Sequence, residues 1–488
     1  MSESISLFEG RHLIAGEMTV GEGGASGQWL DSYDPATLEP LGRVPAANAA
    51  DVSRAVVAAA EAQRTWAKRS MAERASALRA LAAAIRARGK EILELEARDT
   101  GNTIGKLQAD VQIAAGYLDY FAGLGTELKG ETVPATATGL HFTVREPYGV
   151  VARIVPFNHP FMFAAAHLAA PLMAGNAVVV KTPETSPLSG TLLAELCHAT
   201  LPSGLVNILH GLGAPAGDAL VRHPLVRRIG FTGSVPTGLA IQRAAAESGV
   251  KHVTLELGGK NPFIVFPDAD LDRVVEMAVA GMNFSWAGQS CGSTSRLLLH
   301  ESVHDELVER IAAKLRSLRL GSPLDPASEM GPVNSARQYE RVLDFIAGAR
   351  HDGARCVAGG ARPSGEAFAR GHWVEPTLFS EVTASMRIAR EEIFGPVMCA
   401  LRWKSEEEVL QMANDSPYGL TASVWTRDLQ TAMRAMRAIE AGTIWINTAG
   451  THFVGTPFGG WKDSGLGGEE CLDELFSYSQ VKAVHVLG

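Results

Sequence analysis

The sequence predicts an α/β protein built around parallel β-sheets, and three observations support this fold class. Between residues 177 and 257, short apolar segments alternate with segments whose apolar residues recur at three- and four-residue spacing. A second stretch of the same kind begins near residue 268 and runs to about residue 455. The tail, residues 476–487, alternates like an exposed strand that needs a partner. Strands that alternate with helices are joined by right-handed crossovers and therefore form parallel sheets.

The first alternating stretch is predicted to contain four strands joined by helices. The helix after the first strand should open with Ser186 as N-cap and Pro187 in its first turn, because a serine hydroxyl accepts backbone amides there and proline has no amide to leave unpaired. The strands are expected at 177–180, 205–209, 226–231 and 253–257, and the later helices at 216–222 and 238–247.

The remaining segments follow from the same periodicities. The uncharged stretch 160–180 is interrupted by His167 and Pro171, so it is interpreted as a core helix followed by a strand and not as a membrane span. Residues 51–98 have a helical pattern and residues 129–153 a strand-like one. Further helices are expected at 271–284, 305–315 and 406–414, and further strands at 295–299 and 443–447.

Composition excludes several classes of partner. The chain has 488 residues, of which 46% are hydrophobic and 20% charged, as in ordinary globular proteins. Its formal charge of −9 gives no reason to expect nucleic acid or an anionic membrane as a partner. The N-terminal segment has no basic region followed by an apolar one, so no secretory signal is expected. The five cysteines form no CxxC pair, which favours free thiols in the cytoplasm.

Cys291 is the first candidate for chemistry. It lies between Gly288 and Gly292 with small polar neighbours, which leave a thiol uncovered, but an inert buried cysteine is as good an interpretation of the local sequence. The same segment matches G-x-S-x-G, which would make Ser290 a hydrolase nucleophile. That turn needs a strand before the serine and a helix after it, and here the order is reversed, so the hydrolase is disfavoured.

Glu256 is the second candidate. It ends the predicted strand 253–257 between apolar neighbours, and burial there would raise its pKa toward the range of a general base. The alternative is a structural pair with Lys251 or Lys260.

A phosphate site and an acidic residue suggest a dinucleotide. Residues 231–238 join a strand to a helix and resemble a glycine-rich phosphate loop in which Val235 replaces the middle glycine. Pro236 should fix the backbone of the first helical turn. Free backbone amides and the Ser234 hydroxyl should then face an anion. Glu184, beside Lys181 beyond the first strand, can bind a ribose and repel a 2′-phosphate, which favours NAD over NADP. A plain turn and a solvated Lys–Glu pair are the alternatives.

One motif is interpreted as coincidental. His300 and His304 spell HExxH, but a zinc site needs both histidines on one helix face. His300 is expected to end a strand, and Ser302 with Asp305 to cap the next helix. No metal site is predicted.

Together these segments resemble the aldehyde dehydrogenase superfamily over essentially the whole chain. Seven motifs occur in the order typical of that family: residues 156–160 (PFNHP), 181–184 (KTPE), 231–234 (FTGS), 255–260 (LELGGK), 288–291 (GQSC), 392–396 (EIFGP) and 457–462 (PFGGWK).

The resemblance implies an NAD-dependent, non-acylating enzyme with assigned residues. Cys291 would attack the aldehyde, Asn158 and the Cys291 amide would hold the oxyanion, and Glu256 would activate the water that hydrolyses the thioester. Glu469 matches a carboxylate that helps relay the proton. The residues implied for cofactor binding are Pro156, Phe157, Lys181, Glu184, Gly233, Ser234, Glu392 and Phe394.

The resemblance also implies three domains and an oligomer. The NAD-binding domain would comprise residues 1–128 and 148–258, the catalytic domain residues 259–458, and a β-arm residues 129–147 and 470–488. The arm would complete a sheet across a homodimer, often within a homotetramer.

The substrate is the least determined part. Phe163, Trp286, His452 and Phe458 are expected to line the substrate tunnel, which favours an aromatic or medium-length apolar aldehyde, with a cationic (betaine-type) aldehyde second. His159 stands where an aromatic residue is frequent in the family and His167 where a lysine is usual. Cys291 also lies one residue further from Glu256 than in most members.

Three other functions are alternatives for this sequence. A CoA-acylating semialdehyde dehydrogenase would have no need of Glu256 as a base. A non-catalytic protein on this scaffold would have no need of the complete set of chemical residues. The third alternative is the hydrolase with Ser290.

Overall fold

The computed structural model describes residues 7–487. Residues 1–6, part of the segment used to argue against a secretory signal, lie outside this range, as does residue 488 of the predicted arm. In the described range, no helix is both long and apolar enough to cross a membrane.

The strands of the described chain form two large sheets and three small ones. In chain order they are β1 (Phe8–Glu9), β2 (His12–Ile14), β3 (Glu17–Thr19), β4 (Trp29–Tyr33), β5 (Pro40–Pro45), β6 (Thr132–Val133), β7 (Gly139–Pro147), β8 (Val150–Ile154), β9 (Ala177–Lys181), β10 (Val206–Leu209), β11 (Val226–Thr232), β12 (His252–Glu256), β13 (Pro262–Val265), β14 (Arg296–His300), β15 (Arg355–Ala358), β16 (Thr377–Ser380), β17 (Val397–Trp403), β18 (Tyr418–Gly419), β19 (Thr421–Trp425), β20 (Thr443–Ile446), β21 (Trp461–Lys462), β22 (Gly465–Leu466) and β23 (Ser479–Leu487).

The helices cover the faces of the two large sheets. They are α1 (Gly21–Ala25), α2 (Ala49–Trp66), α3 (Met71–Ala87), α4 (Gly89–Thr100), α5 (Ile104–Gly123), α6 (Pro160–Ala166), α7 (Ala169–Met173), α8 (Ser189–Thr200), α9 (Asp218–Arg222), α10 (Val235–Ser248), α11 (Leu271–Gly281), α12 (Glu301–Ser317), α13 (Ala336–His351), α14 (Arg387–Arg390), α15 (Glu406–Asn414), α16 (Leu429–Ala438) and α17 (Leu472–Ser477).

The first large sheet has eight strands in the order β22-β12-β11-β8-β9-β10-β2-β3. Its five central strands, β12 to β10 in that order, are parallel, and the strands added at both edges are antiparallel. The predicted parallel α/β fold is confirmed here. The strand-like stretch 129–153 is divided, since β8 enters this sheet whereas β6 and β7 do not.

Several predicted helix boundaries are wrong. Ser186 and Pro187 do not open α8, which begins at Ser189; the Ser186 hydroxyl donates to the Phe157 carbonyl oxygen instead (2.9 Å). Residues 51–98 form three helices, because the chain turns before Ser70, whose side chain caps α3, and again at Arg88. Helix α10 begins three residues earlier than predicted, with Pro236 in its first turn as expected.

The second large sheet has seven strands in the order β15-β16-β17-β14-β13-β19-β20. All neighbours are parallel except β15 and β16. The predicted cap of the helix after β14 is wrong: α12 begins at Glu301, and the Nδ1 atom of His300 accepts the Ser302 amide (3.2 Å). Helix α11 ends at Gly281, short of the predicted residue 284.

The tail forms part of a three-stranded sheet in the order β23-β7-β6. Strand β23 pairs with β7 along its whole length, from Ser479 opposite Pro147 to Leu487 opposite Gly139. The predicted strand therefore finds its partner within its own chain. It begins later than expected, because α17 occupies residues 472–477.

Two hydrophobic cores underlie the two large sheets. One consists of residues between Leu13 and Leu257 together with Leu475 and Tyr478 from the end of the chain, and the other of residues between Phe263 and Ala449. The segment from the first core to the second, residues 257–263, therefore lies next to both sheets.

Candidate active site

The predicted chemical residues meet where the parallel strands of the first sheet end. Glu256 is the last residue of β12, and Asn158 follows β8 by four residues. Cys291 comes from the loop that leads into β14 of the second sheet. The junction between the sheets thus contains a thiol, a carboxylate and a carboxamide.

The loop before Cys291 is tightly wound. Asn283, Ala287 and Gly288 have φ angles of 57°, 50° and 68°, in the left-handed region. At Gly288 a Cβ atom would lie 2.3 Å from the Gly395 carbonyl oxygen, so a larger residue cannot be accommodated there without a shift. This turn replaces the last part of the predicted helix 271–284 and brings Cys291 back toward the sheet.

Asn261 holds the Cys291 backbone in place. Its Nδ2 atom donates to the carbonyl oxygens of Cys291 (2.7 Å) and Ser293 (3.0 Å), and its Oδ1 atom accepts the Thr421 amide (3.1 Å). The loop that carries Cys291 is therefore tied by a buried side chain to a strand of the second sheet.

The Cys291 thiol is protonated in this environment. Burial, reinforced by the neighbouring carboxylates of Glu392 and Glu256, raises its pKa to about 12. A thiol must lose its proton to act as a nucleophile, so this cysteine needs a base or a positive charge at the moment of reaction.

Asn158 lies against the same loop. Its Nδ2 atom donates to the Gln289 carbonyl oxygen (3.0 Å), two residues before Cys291, and its own carbonyl oxygen accepts from Asn102 (2.8 Å). A carboxamide nitrogen carries two hydrogens, so one remains for a second acceptor near Cys291. This is the donor that an oxyanion requires.

Glu256 is buried without a counterion. Its side chain is 5% exposed, and neither carboxylate oxygen has a hydrogen-bond partner within residues 7–487. Burial raises its pKa well above the ordinary value, and the carboxylates of Glu469 and Glu470 raise it further. The alternative pairing with Lys251 or Lys260 is wrong: Lys251 donates to the carbonyl oxygens of Val221 and His223, and the Lys260 ammonium has no hydrogen-bond partner in the described chain.

Glu469 is stabilised as a carboxylate. Its Oε1 atom accepts from the buried Arg153 guanidinium (2.8 Å), which also contacts the Tyr478 hydroxyl. Burial alone would raise the pKa of Glu469, but Arg153 holds it below its ordinary value. Glu469 is thus charged, whereas Glu256 nearby has a raised pKa.

His167 lies close to Glu469 but does not form an ion pair with it. Its Nε2 atom is 3.4 Å from Glu469 Oε2 without hydrogen-bond geometry. Burial, reinforced by Arg153, lowers the pKa of His167 to about 3, so the ring is neutral at neutral pH.

His167 and Glu469, together with Glu474, form the one cluster of potential metal ligands in the described part of the chain. Donor atoms of His167, Glu469 and Glu474 lie within 4.8 Å of one another. Arg153 already supplies a positive charge to Glu469, as a cation at that place would. His300 and His304 of the HExxH segment belong to no such cluster: His300 caps α12 and His304 bonds to Asp305.

Lys181 and Glu184 lie together beyond β9. Their side chains approach to 3.8 Å, and Glu184 also accepts the Gly213 amide. Burial lowers the pKa of Lys181 to about 8, against the opposing effect of Glu184. An ammonium group with so little solvation gains by donating hydrogen bonds to hydroxyl groups of a ligand.

The loop before α10 is only partly available to a phosphate. The loop is predicted to present free amides, but the Gly233 amide donates to the Glu256 carbonyl oxygen (3.0 Å). The Ser234 hydroxyl is exposed and bonds to Thr237 (3.0 Å). The amides of Val235 and Thr237 lie in the first helical turn, where no intrahelical acceptor exists, and they remain available to an anion.

Glu392 and Phe394 approach the end of β12 from the second sheet. Glu392 Oε1 accepts the Gly259 amide (3.1 Å), and a Cβ atom on Gly258 would lie 2.1 Å from its other oxygen. Burial raises the pKa of Glu392 to about 7, although Gly259 and Lys260 oppose the shift. Phe394 has a φ of 58° and packs edge-on against Phe157 (5.6 Å between ring centroids) next to Pro156.

The predicted tunnel residues form two separate aromatic groups. Phe163 and Trp286 flank His159, with ring centroids 5.8 and 5.0 Å away. His452 and Phe458 pack together (4.6 Å), and the Glu470 carboxylate raises the pKa of His452 although burial opposes it. No ring contact joins the two groups within residues 7–487.

Trp445 was missed at the sequence level. It is buried, packs near His452 (6.4 Å), and its indole would lie 3.9 Å from a Cβ atom on Gly292, next to the nucleophile. It stands in a strand with ordinary apolar alternation, so no local signal distinguished it. Arg153 was also missed, although an arginine inside the apolar strand 150–154 is a signal of a buried ion pair.

The fold and the site together define an α/β protein in which a thiol, a carboxyl group and a carboxamide meet where parallel strands end, the place where such sheets bind dinucleotides. The model of the aldehyde dehydrogenase family matches residues 23–484, so the chain belongs to this family of oxidoreductases. One relative, the aldehyde dehydrogenase TropH of Talaromyces stipitatus, is 48% identical over 463 residues, which cover 93% of this chain and 90% of that protein.

Solved structures agree over nearly the whole chain. The NAD+ complex of an aldehyde dehydrogenase from Bacillus cereus is 37% identical, with a TM-score of 0.94 over 98% of this chain and 96% of that one. An indole-3-acetaldehyde dehydrogenase from P. syringae, in complex with NAD+ and IAA, is 37% identical, with a TM-score of 0.95 and coverages of 99% and 97%. A 3,6-anhydro-L-galactose dehydrogenase in complex with NADP is 32% identical, with a TM-score of 0.95 and coverages of 98% and 100%.

Proposed function

We propose that this chain oxidises an aldehyde to a carboxylic acid with NAD, with Cys291 as nucleophile and Glu256 as the base for hydrolysis. The observation that carries the proposal is the state of Glu256, a buried carboxyl group without a hydrogen-bond partner in the described chain and with a raised pKa, close enough to Cys291 to affect the pKa of its thiol. A buried group of this kind is costly to the fold and is typical of a general base.

The residues at the sheet edge fit a dinucleotide. Lys181 is a buried ammonium with one carboxylate, that of Glu184, at 3.8 Å. Glu392 is a carboxyl group with no cationic partner within 4 Å in residues 7–487, and the first turn of α10 offers amides to a phosphate. In this proposal Lys181 and Glu184 bind the adenosine ribose, Ser234 and the α10 amides a phosphate, and Glu392 the nicotinamide ribose, with Pro156, Phe157, Gly233 and Phe394 packing alongside. Glu184 would repel a 2′-phosphate, which favours NAD, although one similar structure contains NADP.

The chain's residues divide the chemistry into two stages. In the first, the Cys291 thiol releases its proton to solvent and the thiolate sulfur bonds to the aldehyde carbon, while Asn158 and the Cys291 amide donate to the oxygen that becomes negative. Bound NAD supplies the acceptor for the hydride that leaves this carbon. The carbon is then held as a thioester on Cys291.

In the second stage Glu256 takes a proton from water, and the water oxygen displaces the Cys291 sulfur to release the carboxylic acid. Glu469, which is held as a carboxylate by Arg153, raises the pKa of Glu256 and so strengthens it as a base; in this proposal Glu469 assists the proton transfer through that charge. The net reaction converts an aldehyde, water and the oxidised cofactor into an acid, the reduced cofactor and a proton.

For the substrate we propose an aromatic or medium-length apolar aldehyde. Phe163, Trp286 and Trp445 supply aromatic surface near the nucleophile, with His452 and Phe458 further along. One similar enzyme is an indole-3-acetaldehyde dehydrogenase, which is consistent with this class. A cationic aldehyde, bound by cation–π contacts to the same rings, is the second choice.

The proposal includes an oligomer and a cytoplasmic location. The division into an NAD-binding domain, a catalytic domain and the β7–β23 arm is retained, with the arm joining two or four copies. It rests on the resemblance and on the exposed face of the arm, where Val481, Val486 and Leu487 are all at least half exposed.

The test is an assay of NADH absorbance across aliphatic, aromatic, hydroxylated and amino aldehydes, repeated with NADP and with added CoA. Free acid and NADH are expected, both abolished in Cys291→Ala. Formation of acyl-CoA instead of acid would favour the acylating alternative, and a higher kcat/KM with NADP would remove the role of Glu184. Ester cleavage that survives Cys291→Ala but not Ser290→Ala would favour the hydrolase.

A further inference from the structure

We propose that His159 and Asp110 form a polar pair in the wall of the substrate tunnel that selects aldehydes carrying a hydroxyl group on an aromatic ring. This inference rests on the proposed aldehyde oxidation and names the class of substrate within it. The sequence motif placed His159 beside Asn158, but Asp110 lies 49 residues earlier in the chain and was not connected with the site.

The pair is short and largely buried. His159 Nδ1 is 2.7 Å from Asp110 Oδ2, and the two side chains are 14% and 7% exposed. His159 is the residue before α6 and directly follows the oxyanion residue Asn158, whereas Asp110 lies on α5. Two helices therefore hold this histidine ring in a defined position beside Asn158, the residue proposed to bind the oxyanion.

The Asp110 carboxylate determines which ring nitrogen of His159 can accept a hydrogen bond from a ligand. A carboxylate only accepts hydrogen bonds, so Nδ1 carries the hydrogen and donates to Asp110. In the neutral ring, Nε2 is then left as an acceptor, and it has no hydrogen-bond partner within residues 7–487. The complement of this atom is an O–H or N–H group on the ligand.

A second unpaired group lies beside it. The Nε1 atom of Trp286 is buried and has no acceptor in the described chain, and its ring centroid is 5.0 Å from that of His159. An indole nitrogen can only donate. A hydroxyl group both donates and accepts, so a single hydroxyl can satisfy the His159 acceptor and the Trp286 donor together.

The surrounding rings determine the rest of the ligand. Phe163 packs edge-on against His159 (5.8 Å), and the Trp286 ring is tilted by 42° to it, so flat apolar surfaces surround the polar pair. A hydroxylated aromatic ring complements this arrangement. A carboxylated aldehyde fits less well, because an Nε2 atom that acts as an acceptor, with the hydrogen on Nδ1, offers no hydrogen to a carboxylate.

An apolar aldehyde leaves these two polar atoms buried and unpaired, which costs binding energy in the transition state. One neutral hydrogen bond of this kind corresponds to about a tenfold difference in kcat/KM. The enzyme should therefore prefer a hydroxybenzaldehyde to the tolualdehyde of the same substitution pattern, in which a methyl group replaces the hydroxyl group.

The experiment measures kcat/KM with NAD for the hydroxybenzaldehyde isomers, the matching tolualdehydes and the carboxybenzaldehydes. The parent enzyme should prefer the best hydroxy isomer to its methyl counterpart by about tenfold or more. In His159→Phe this ratio should fall to about one, and in Asp110→Asn, whose amide can donate to Nδ1 and move the hydrogen to Nε2, it should also fall. His159→Gln, which retains an acceptor, should recover part of it, and the exposed His198→Phe should leave it unchanged.

Three results would overturn the inference. The ratio in the parent enzyme is near one, or it is unchanged in both His159→Phe and Asp110→Asn, or the carboxybenzaldehydes are preferred to the hydroxy isomers. A purely structural role of the pair would lower kcat/KM for all aldehydes by the same factor and leave the ratio intact. Failure of the proposed function is a different outcome, in which no aldehyde yields NADH with the parent enzyme.

Discussion

At the scale of single residues, the site contrasts two carboxyl groups. Glu469 has Arg153 as a buried partner and is held as a carboxylate, whereas Glu256 has neither a cation nor a hydrogen-bond donor in the described chain, and burial raises its pKa. Groups whose environments separate their pKa values in this way can divide the tasks of charge stabilisation and proton transfer.

The first prediction concerns Glu256→Gln. Glutamine retains the size of the side chain but cannot accept a proton, so hydrolysis of the thioester should slow while its formation continues. We expect a rapid burst of about one NADH per active site and a steady rate lowered by about 100-fold or more. Stopped-flow absorbance checks this. The exposed Glu247→Gln, which removes a surface partner of Arg222, is the control, and loss of the burst itself would contradict the assignment.

The second prediction concerns Arg153→Met. Removal of the guanidinium leaves the buried Glu469 carboxylate without its counterion, which should lower the free energy of unfolding by about 3–5 kcal/mol. Urea unfolding measures the loss, and the double variant Arg153→Met with Glu469→Gln should recover part of it. Arg43→Met, which breaks the exposed pair with Glu9, should cost less than about 1 kcal/mol. Equal losses in the two single variants would contradict this account.

At the scale of secondary structure elements, α4 carries two buried acidic groups against the region that follows β8. Glu96 accepts the Phe161 amide at 3.4 Å, and its other oxygen has no partner in residues 7–487. Asp99 accepts the Leu188 amide (2.9 Å) and contacts Ser32. Burial raises the pKa of Glu96 to about 8 and that of Asp99 to about 7. Ionisation of these two groups as the pH rises should therefore destabilise the packing of α4.

The third prediction follows from the sign of this shift. Because the folded chain retains the Glu96 proton that the unfolded chain has already lost, stability decreases as pH rises from the ordinary pKa toward about 8. Glu96→Gln cannot ionise, so between about pH 6.5 and 9 its unfolding free energy should rise relative to the parent by about 2 kcal/mol. Urea midpoints at the two pH values check it.

The control for this experiment lies on the same helix. Glu94 has a carboxylate that is 53% exposed and approaches Lys90 at 3.8 Å, so Glu94→Gln should show a difference that hardly depends on pH. A relative stability of Glu96→Gln that stays constant with pH would show that Glu96 is ionised in the folded protein.

At the scale of the whole molecule, the arm formed by β7 and β23 projects a surface that the described chain does not cover. Most side chains of β23 are exposed, and its outer edge has unpaired backbone groups. Edges of this length usually pair with another strand. Assembly through the arm is the expected way of covering it.

The fourth prediction is that deletion of residues 479–488 lowers the oligomeric state. The intact chain should have the mass of a dimer or tetramer by light scattering during size-exclusion chromatography, and the truncated chain a smaller mass. Because Tyr478 and Leu475 of the first core remain, the truncated chain should still fold. Lys482→Ala, which removes a surface contact to Glu146, is the control, and a truncated chain of unchanged mass would contradict the role of the arm.

Much of the fold followed from the sequence because its signals are local. The predicted strands 177–180, 205–209, 226–231 and 253–257 agree with β9 to β12, since buried parallel strands are short apolar runs. Helix starts were less accurate at α8 and α12, where Ser186 bonds to Phe157 and the ring of His300 acts as the cap. In both cases a side chain found a partner that its propensity does not indicate.

The sequence by itself determined the family, the parallel sheets and the order of Cys291, Glu256 and Asn158 along the chain, because these depend on motifs and periodicities of neighbouring residues. Only the tertiary structure decided the partners of these residues: Arg153 meets Glu469 across 316 positions, and Asp110 meets His159 across 49. The tertiary structure also decided that the Gly233 amide donates to the Glu256 carbonyl oxygen and that the predicted tunnel residues form two separate aromatic groups. Such contacts arise from the packing of elements distant in sequence, so that even where the local sequence indicates a buried ion pair, as at Arg153 in an apolar strand, it does not identify the partner.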